Sequence, residues 1–341
     1  MATTSKEKAN EKMRLGDAME AYLRRGVEGE APGRRMKNYS PRSARRRAHG
    51  KRALLFGIPF FLLGLFIVGV GTGIVPTKES SSDAPPIVIA LCGVIFAVPG
   101  LGLMVHGAAG MRRVARVRAM REQFIGEPWR ADYSWNEQGI GDTQARGVFQ
   151  MLYGTLFMVL FAAPFNILAY ESGNGWVMAL VSVCVNLFVA VFALTFFYRL
   201  ARWMKYGSGR VRFGRFPFYL GEKIDLTYVP ARGLRGVKKM TCTLRCIREV
   251  YEARDTSDGR QEQVVAYETY GDAKDVDGSA LGEGFDRSLS LSFDAPTGGE
   301  TTRLSDRPAV YWELEVSAKT PGVDLNSRFL VPVYGRGGRL E

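Results

Sequence analysis

Histidine and cysteine are both scarce in this chain of 341 residues, which contains two histidines and four cysteines. Metal centres and hydrolytic triads depend heavily on histidine, so neither kind of site is expected. Cys92 and Cys184 lie in apolar runs, whereas Cys242 and Cys246 fall in one predicted strand roughly 13 Å apart, beyond the reach of a disulfide. The sequence thus predicts no catalytic residue, no metal and no cofactor, and it is typical of a reducing compartment.

Charged residues are missing from four long apolar stretches, namely 53–75, 86–105, 148–170 and 176–197. A helix of about 20 residues crosses a hydrocarbon core of about 30 Å, so each stretch predicts a transmembrane helix. Short polar connectors follow the first and the third stretch, which predicts two helical hairpins within residues 53–198. The lack of ionisable side chains inside the stretches argues against a proton or ion pathway.

The polar side chains and glycines inside these stretches are best explained by helix packing. Asn166 and Asn186 are expected to form hydrogen bonds between helices. Gly69 and Gly73 have the spacing that allows two helices to approach closely. This packing could serve the bundle itself or a homo-oligomer, and the sequence leaves both alternatives open.

Lysine and arginine produce the net charge of +12, and they concentrate beside the apolar stretches. Basic flanks stay on the side of the membrane that is not translocated. The basic N-terminal segment 1–52, the loop 106–147 and the region after the fourth stretch are therefore expected to be cytoplasmic. This pattern predicts a multi-pass protein of the cytoplasmic (inner) membrane with both termini in the cytoplasm.

Two arginine clusters at these flanks are candidate sites for anionic lipid headgroups, which attract each basic residue by about 1 kcal/mol. The alternative is that the clusters only determine topology. Nucleic acid is a less favoured partner, because no recognisable fold with interleaved aromatic and basic residues accompanies them. The candidate lipid-binding residues are Arg45, Arg46, Arg47, Arg112, Arg113, Arg116, Arg118 and Arg121.

The N-terminal segment divides into two parts. Residues 6–25 carry apolar side chains at helical spacing and stop at Gly26, which is compatible with a short amphipathic helix, and a frayed tail is an equally weighted alternative. Residues 27–52 are rich in glycine, proline and arginine and are expected to lack regular structure.

After the fourth stretch, apolar and polar residues alternate with a period of two, which indicates β-strands. In YWELEVSA, for example, Trp312 and Leu314 alternate with Glu313 and Glu315, so one face should be dry and the other wet. Seven or eight short strands separated by turn residues predict an antiparallel β-sandwich over residues 205–341. The acidic stretch GDAKDVDGSALGEG is the longest predicted loop.

An aromatic motif precedes the third stretch, with Pro128, Trp129 and Arg130 followed by Tyr133 and Trp135. Together with the closing segment VYWELEVSAKTPGVDLNSRFLVPVY, it resembles a poorly characterised family of bacterial four-helix inner-membrane proteins. The closing segment is also similar to the last strands of arrestin-like and immunoglobulin-like sandwiches. The resemblance implies an architecture and no activity.

Two readings of the aromatic motif remain open. Trp129, Arg130 and Trp135 could anchor the chain in the headgroup region or pack against the sandwich.

Our leading functional hypothesis is a membrane-anchored binding or scaffold protein whose sandwich recruits a protein partner. The alternatives are an oligomeric channel or transporter component and, third, a membrane-bound enzyme.

Overall fold

The computed structural model describes residues 33–37, 39, 41–42, 50–76, 85–124, 126–171, 175–232, 234, 237–256, 259–277, 288–306 and 308–336. Within these residues, the helices are α1 (Gly50–Gly71), α2 (Pro86–Gln123), α3 (Pro128–Asp132), α4 (Gln144–Glu171) and α5 (Trp176–Tyr206). The strands are β1 (Arg34–Arg35), β2 (Gly139–Gly141), β3 (Arg210–Phe213), β4 (Phe218–Tyr219), β5 (Lys223–Val229), β6 (Lys239–Thr256), β7 (Gly259–Asp277), β8 (Leu289–Asp294), β9 (Val310–Ala318), β10 (Leu325–Val331) and β11 (Val333–Tyr334).

Four of the described helices, α1, α2, α4 and α5, are long and apolar enough to cross a membrane. They identify the chain as a membrane protein, and the antiparallel sheets that follow confirm the predicted order of apolar helices and β-structure. Helix α2 does not end with its apolar stretch at residue 105. It continues to Gln123, about 27 Å further at the rise of an α-helix.

Glycines at seven-residue intervals bring α1 and α2 into close contact. A Cβ atom added at Gly64 would lie 2.3 Å from the backbone nitrogen of Ala97, so only glycine fits there. By contrast, the predicted pair does not mediate this contact: Gly69 approaches only Val75, and Gly73 has nothing within 4 Å. The glycines that form the contact are Gly50, Gly57, Gly64 and Gly71 on α1 and Gly107, Gly100 and Gly93 on α2.

Helices α4 and α5 form the second hairpin, which packs against the first through α4 and α2. Each asparagine was expected to form a hydrogen bond between helices, and they do so with each other: Asn186 Nδ2 on α5 donates to Asn166 Oδ1 on α4 at 2.7 Å. Ser182 also donates to Asn166. The prediction of an interhelical role for these residues is therefore confirmed.

The strands form two antiparallel sheets and one short parallel pair, which together we call the β-domain. Sheet A has the order β1-β7-β6-β9-β10, sheet B has the order β2-β3-β5-β8, and β11 pairs with β4. Alternate residues of both sheets point into one buried core, as the period of two predicts. Its largest fully buried side chains include Trp312, Tyr228, Phe218, Phe293 and Phe329.

The sheets also take in segments from outside residues 205–341. Strand β1 pairs with β7, with Arg34 opposite Glu268, although this segment was expected to lack regular structure. Strand β2, from the connector before α4, pairs with β3. The predicted acidic loop is wrong for its first half, since Gly271–Asp277 belongs to β7 and pairs with β6 along the long β6–β7 ladder.

Candidate functional site

Charged side chains are buried on the face of sheet A that is opposite the core. Glu249 is 0% exposed, Glu313 1% and Arg245 7%. Burying an ionised group costs several kcal/mol unless other charges and hydrogen bonds compensate it. The prediction that the charged face of β9 is wet is therefore wrong at Glu313, because residues of the N-terminal segment cover it.

Three arginines and three glutamates lie together at this position, and the arginine side chains pair with Glu313 and Glu315. Arg245 Nη2 lies 3.2 Å from Glu313 Oε1 and also pairs with Glu315. Arg328 Nε lies 3.2 Å from Glu315 Oε1. We call this group the ionic cluster, and its members are Arg42, Arg245, Arg328, Glu249, Glu313 and Glu315.

The described residues 33–37, 39, 41 and 42, which we call the strap, supply the cover. Tyr39 donates a hydrogen bond of 3.0 Å to Glu313 Oε2, and the Arg42 backbone N–H donates to Glu249. The guanidinium carbon of Arg328 lies 4.9 Å from the centre of the Tyr39 ring, in cation–π geometry. Burial, together with the charge of Glu313, raises the pKa of Tyr39, so its phenol stays protonated and acts as a donor.

A second contact attaches the α3 region to the β-domain. Asp132 accepts a hydrogen bond of 2.6 Å from the Ser305 backbone N–H and one of 3.1 Å from the Tyr334 hydroxyl. Trp135 Nε1 donates to the same hydroxyl at 2.9 Å, and the Trp129 ring meets the Tyr334 ring edge-on. Burial raises the pKa of Tyr334, as does the nearby Asp132 carboxylate.

The structure thus places both candidate tryptophans against Tyr334 of β11. Arg130 remains exposed, where it pairs with Glu127 and lies over the Phe124 ring. Of the candidate lipid-binding residues, Arg112 and Arg116 are exposed on the extension of α2. The side chains of Arg113, Arg118 and Arg121, and all of Arg45, Arg46 and Arg47, lie outside the described part of the chain.

A third contact joins the β-domain to the first residue of α4 and to the last two residues of α5. Lys205 donates to Thr320 Oγ1 and to the Pro321 carbonyl, each at 2.9 Å. Tyr206 is buried and hydrogen-bonded in the same turn between β9 and β10. At the start of α4, Gln144 donates to Ser327 of β10 at 2.8 Å.

These contacts hold the β-domain at two heights above the membrane. The turn after β9 rests on the end of α5, while the α2 extension carries α3 to Ser305, next to the opposite end of β9, where Arg303 bridges to Val310. The β-domain is therefore attached at two points: one close to the transmembrane helix α5 and one near the opposite end of β9. Its bracing residues come from four separate stretches of sequence.

One part of sheet A extends beyond the contacts that attach the β-domain to the helices. Strand β9 pairs with β6 only from Thr241 to Arg248, so the remaining part of β6, residues 249–256, continues with β7 as a two-stranded ribbon. A ladder shift between Cys246 and Ile247 marks its base. Thr241 pairs with Ser317, close to the turn that contacts α5, so this ribbon, which we call the arm, extends about 26 Å from the opposite end of sheet A.

The residues of the ionic cluster have no recognisable sequence signal, because the alternating charges of β9 look like an ordinary wet face. Asp132 lies within the aromatic motif, but no feature of the sequence indicates its role. Among the described residues, no three histidine, cysteine or carboxylate side chains lie close enough together to hold a metal ion. A comparison with models of known protein families and with curated protein sequences returned no match.

Proposed function

We propose that this chain is a membrane-anchored binding protein that presents its β-domain to a protein partner on the cytoplasmic side of the inner membrane. The observation that carries the proposal is the bracing at two heights. A domain fixed by Asp132, Lys205 and the strap has a defined height and orientation, which a merely tethered domain lacks. Preorganisation of this kind lowers the entropic cost of binding.

The proposed cytoplasmic location of the β-domain rests on the distribution of basic residues. The segments that leave the membrane next to the β-domain are rich in arginine, which stays on the cytoplasmic side in membrane proteins. The two sheets share one core, which supports a sandwich arrangement like that of arrestin-like and immunoglobulin-like domains. Such domains commonly bind partners through strand edges and loops.

The arm is the surface that the bracing leaves available for a partner. It projects from the end of the β-domain opposite α5, and Ala253 on it is exposed. Its base is covered: the Glu249 N–H donates to the Ala309 carbonyl, Tyr311 donates to the Glu249 carboxylate, and Glu252 lies 3.3 Å from Arg35 of the strap. A partner at the arm would meet main-chain edges and side chains at a fixed distance from the membrane.

Site-specific photo-cross-linking in intact cells tests this function. The full chain is required, because β1 and β2 lie outside residues 205–341. A photoreactive amino acid at Ala253 should give one discrete adduct with another protein. The same amino acid at Lys223, exposed on the outer face of sheet B, is the matched control and should not. Absence of an adduct at Ala253, or the same adducts at both positions, would contradict the proposal.

Anionic lipid is a second proposed ligand, and it is independent of the first. Arg112 and Arg116 lie on α2 about 10 and 16 Å past residue 105, just outside the headgroup region and within about one Debye length of it, where anionic headgroups still attract them. Both side chains are exposed. Their position therefore supports binding of anionic headgroups in addition to a topological role.

A further inference from the structure

Three polar side chains lie together on the second transmembrane hairpin. Asn166 and Asn186 are exposed at its surface, and Ser182 lies half-buried beside them. In a membrane this surface faces hydrocarbon, where an amide group that lacks hydrogen-bond partners is costly. The group therefore needs either complete internal pairing or a partner.

Internal pairing is incomplete. Asn186 donates to Asn166 Oδ1 at 2.7 Å and to the Ser182 carbonyl at 2.9 Å, which uses both of its N–H groups. The reverse contact, from Asn166 Nδ2 to Asn186 Oδ1, is 3.5 Å long. The carbonyl oxygen of Asn186 thus has only this long contact, and the second N–H of Asn166 has no partner among the described residues.

The helix surface around Asn186 is also open to close approach. Ala179 and Ala190, at seven residues before and four after, are exposed on the same side of α5. No residue in the most apolar window of α5 is buried inside the structure. Helix α5 packs on α4, and α4 makes the main contact with the first hairpin, so the side of α5 next to Asn186, where Ala179 and Ala190 lie, remains exposed.

We propose that a second copy of this chain covers the face, with α5 packed in parallel against α5 of that copy around Asn186. The carbonyl oxygen of Asn186 can accept a hydrogen bond from the remaining N–H of Asn166 in the other copy, and a twofold axis repeats this bond in the reverse direction. Two copies share the same membrane orientation, which places Asn186 of both at the same depth. Any other partner would need a matching polar group at that depth.

The first test measures self-association of the full protein in liposomes by single-molecule photobleaching over a range of protein-to-lipid ratios. The wild type should show two-step bleaching that increases with protein density. Asn186→Leu should weaken dimerisation about tenfold. Thr195→Val is the matched control and should dimerise normally, because Thr195 donates within its own helix to the Val191 carbonyl.

A second measurement does not depend on removing Asn186. In a Cys184→Ser background, Ala190→Cys should form a cross-linked dimer in membranes under mild oxidation. Phe192→Cys should not, because Phe192 faces Gly154 of α4. A protein that is monomeric at all densities, an Asn186→Leu variant that dimerises like the wild type, or equal cross-linking at both positions would overturn the proposal.

Discussion

The hydroxyl group of Tyr39 donates a 3.0 Å hydrogen bond to Glu313, across 274 positions of sequence. Glu313 is 1% exposed and pairs with Arg245, so the strap closes over a buried charge. In the sequence, residues 43–49 separate the strap from α1. This contact therefore attaches the segment that precedes the first transmembrane helix to the centre of sheet A.

Replacement of Glu313 should destabilise the β-domain strongly. Glu313→Gln keeps the shape of the side chain and removes the charge that compensates Arg245 and Arg42. A buried ion pair that loses one partner costs about 3 kcal/mol in the free energy of unfolding. Thermal unfolding of the solubilised protein measures the loss, and Glu137→Gln, at an exposed position, should leave it unchanged. Equal melting of both variants would contradict the role of the ionic cluster.

Tyr39→Phe should loosen the strap without unfolding the domain. The change removes one donor to a buried carboxylate, which costs about 1–3 kcal/mol. Limited trypsin digestion should then cut faster within residues 34–42 than in the wild type. Tyr153→Phe alters a tyrosine that is 69% exposed on α4 and should leave the digestion rate as it was. If trypsin digests Tyr39→Phe at the wild-type rate, the strap is held by its other contacts, and the role assigned to the Tyr39 hydrogen bond is contradicted.

Gly64→Ala should separate α1 from α2. The new methyl group would meet backbone atoms of Ala97 at distances that no side-chain adjustment can relieve. Overpacking of this kind costs about 1–3 kcal/mol. Gly102→Ala is the control, because nothing lies within 4 Å of its added Cβ and alanine is the better helix former. The ratio of folded to unfolded protein under denaturant in detergent should fall only for Gly64→Ala.

Asp142 makes the junction between α4 and the β-domain sensitive to pH. Burial raises the pKa of this carboxyl above its ordinary value, against hydrogen bonds from Ser327 and Gln144 that lower it. A raised folded-state pKa means that the ionised group is destabilising above that pKa and that protonation removes the penalty as pH falls. Asp142→Asn should therefore stabilise the protein relative to wild type at neutral pH, and the difference should shrink at mildly acidic pH. A difference that is constant or grows on acidification would contradict this assignment.

The double variant Arg112→Gln, Arg116→Gln should reduce the enrichment of anionic lipid around the protein. Each arginine near a charged surface contributes about 1 kcal/mol. The measurement is the fraction of anionic lipid retained after purification from mixed bilayers. Lys223→Gln removes a charge from the outer face of sheet B and serves as the control. Equal retention by all three proteins would leave only the topological role.

The sequence was sufficient for elements whose signal is local. Four apolar stretches predicted the four helices, and alternation predicted strands such as β5 and β9. The β6–β7 ladder was missed in part because Asp272 and Asp275 suggest a loop, while pairing with β6 holds them in a strand. The seven-residue glycine spacing is present in the sequence, but the pair Gly69 and Gly73 matches the common motif for close helix packing better and was predicted instead.

The sites depend on contacts between distant segments, and these have no local signal. Nothing in the composition of residues 33–42 indicates that Tyr39 and Arg42 reach Glu313 and Glu249. Likewise, Asp132 becomes an acceptor for Ser305 and Tyr334 only after α2 has carried it to the β-domain. Charges that appear solvated along one strand are buried once a remote segment covers them.

The rigid bracing of the β-domain is the central claim, and a distance distribution tests it most directly. Spin labels at Val114 on the α2 extension and at Lys223 on sheet B occupy exposed positions on two different parts of the protein. Pulsed electron spin resonance of the full chain in lipid nanodiscs, diluted with unlabelled protein, should give one narrow distance, and Asp132→Ala should broaden it. A broad distribution in the wild type, typical of a tethered domain, would contradict the account.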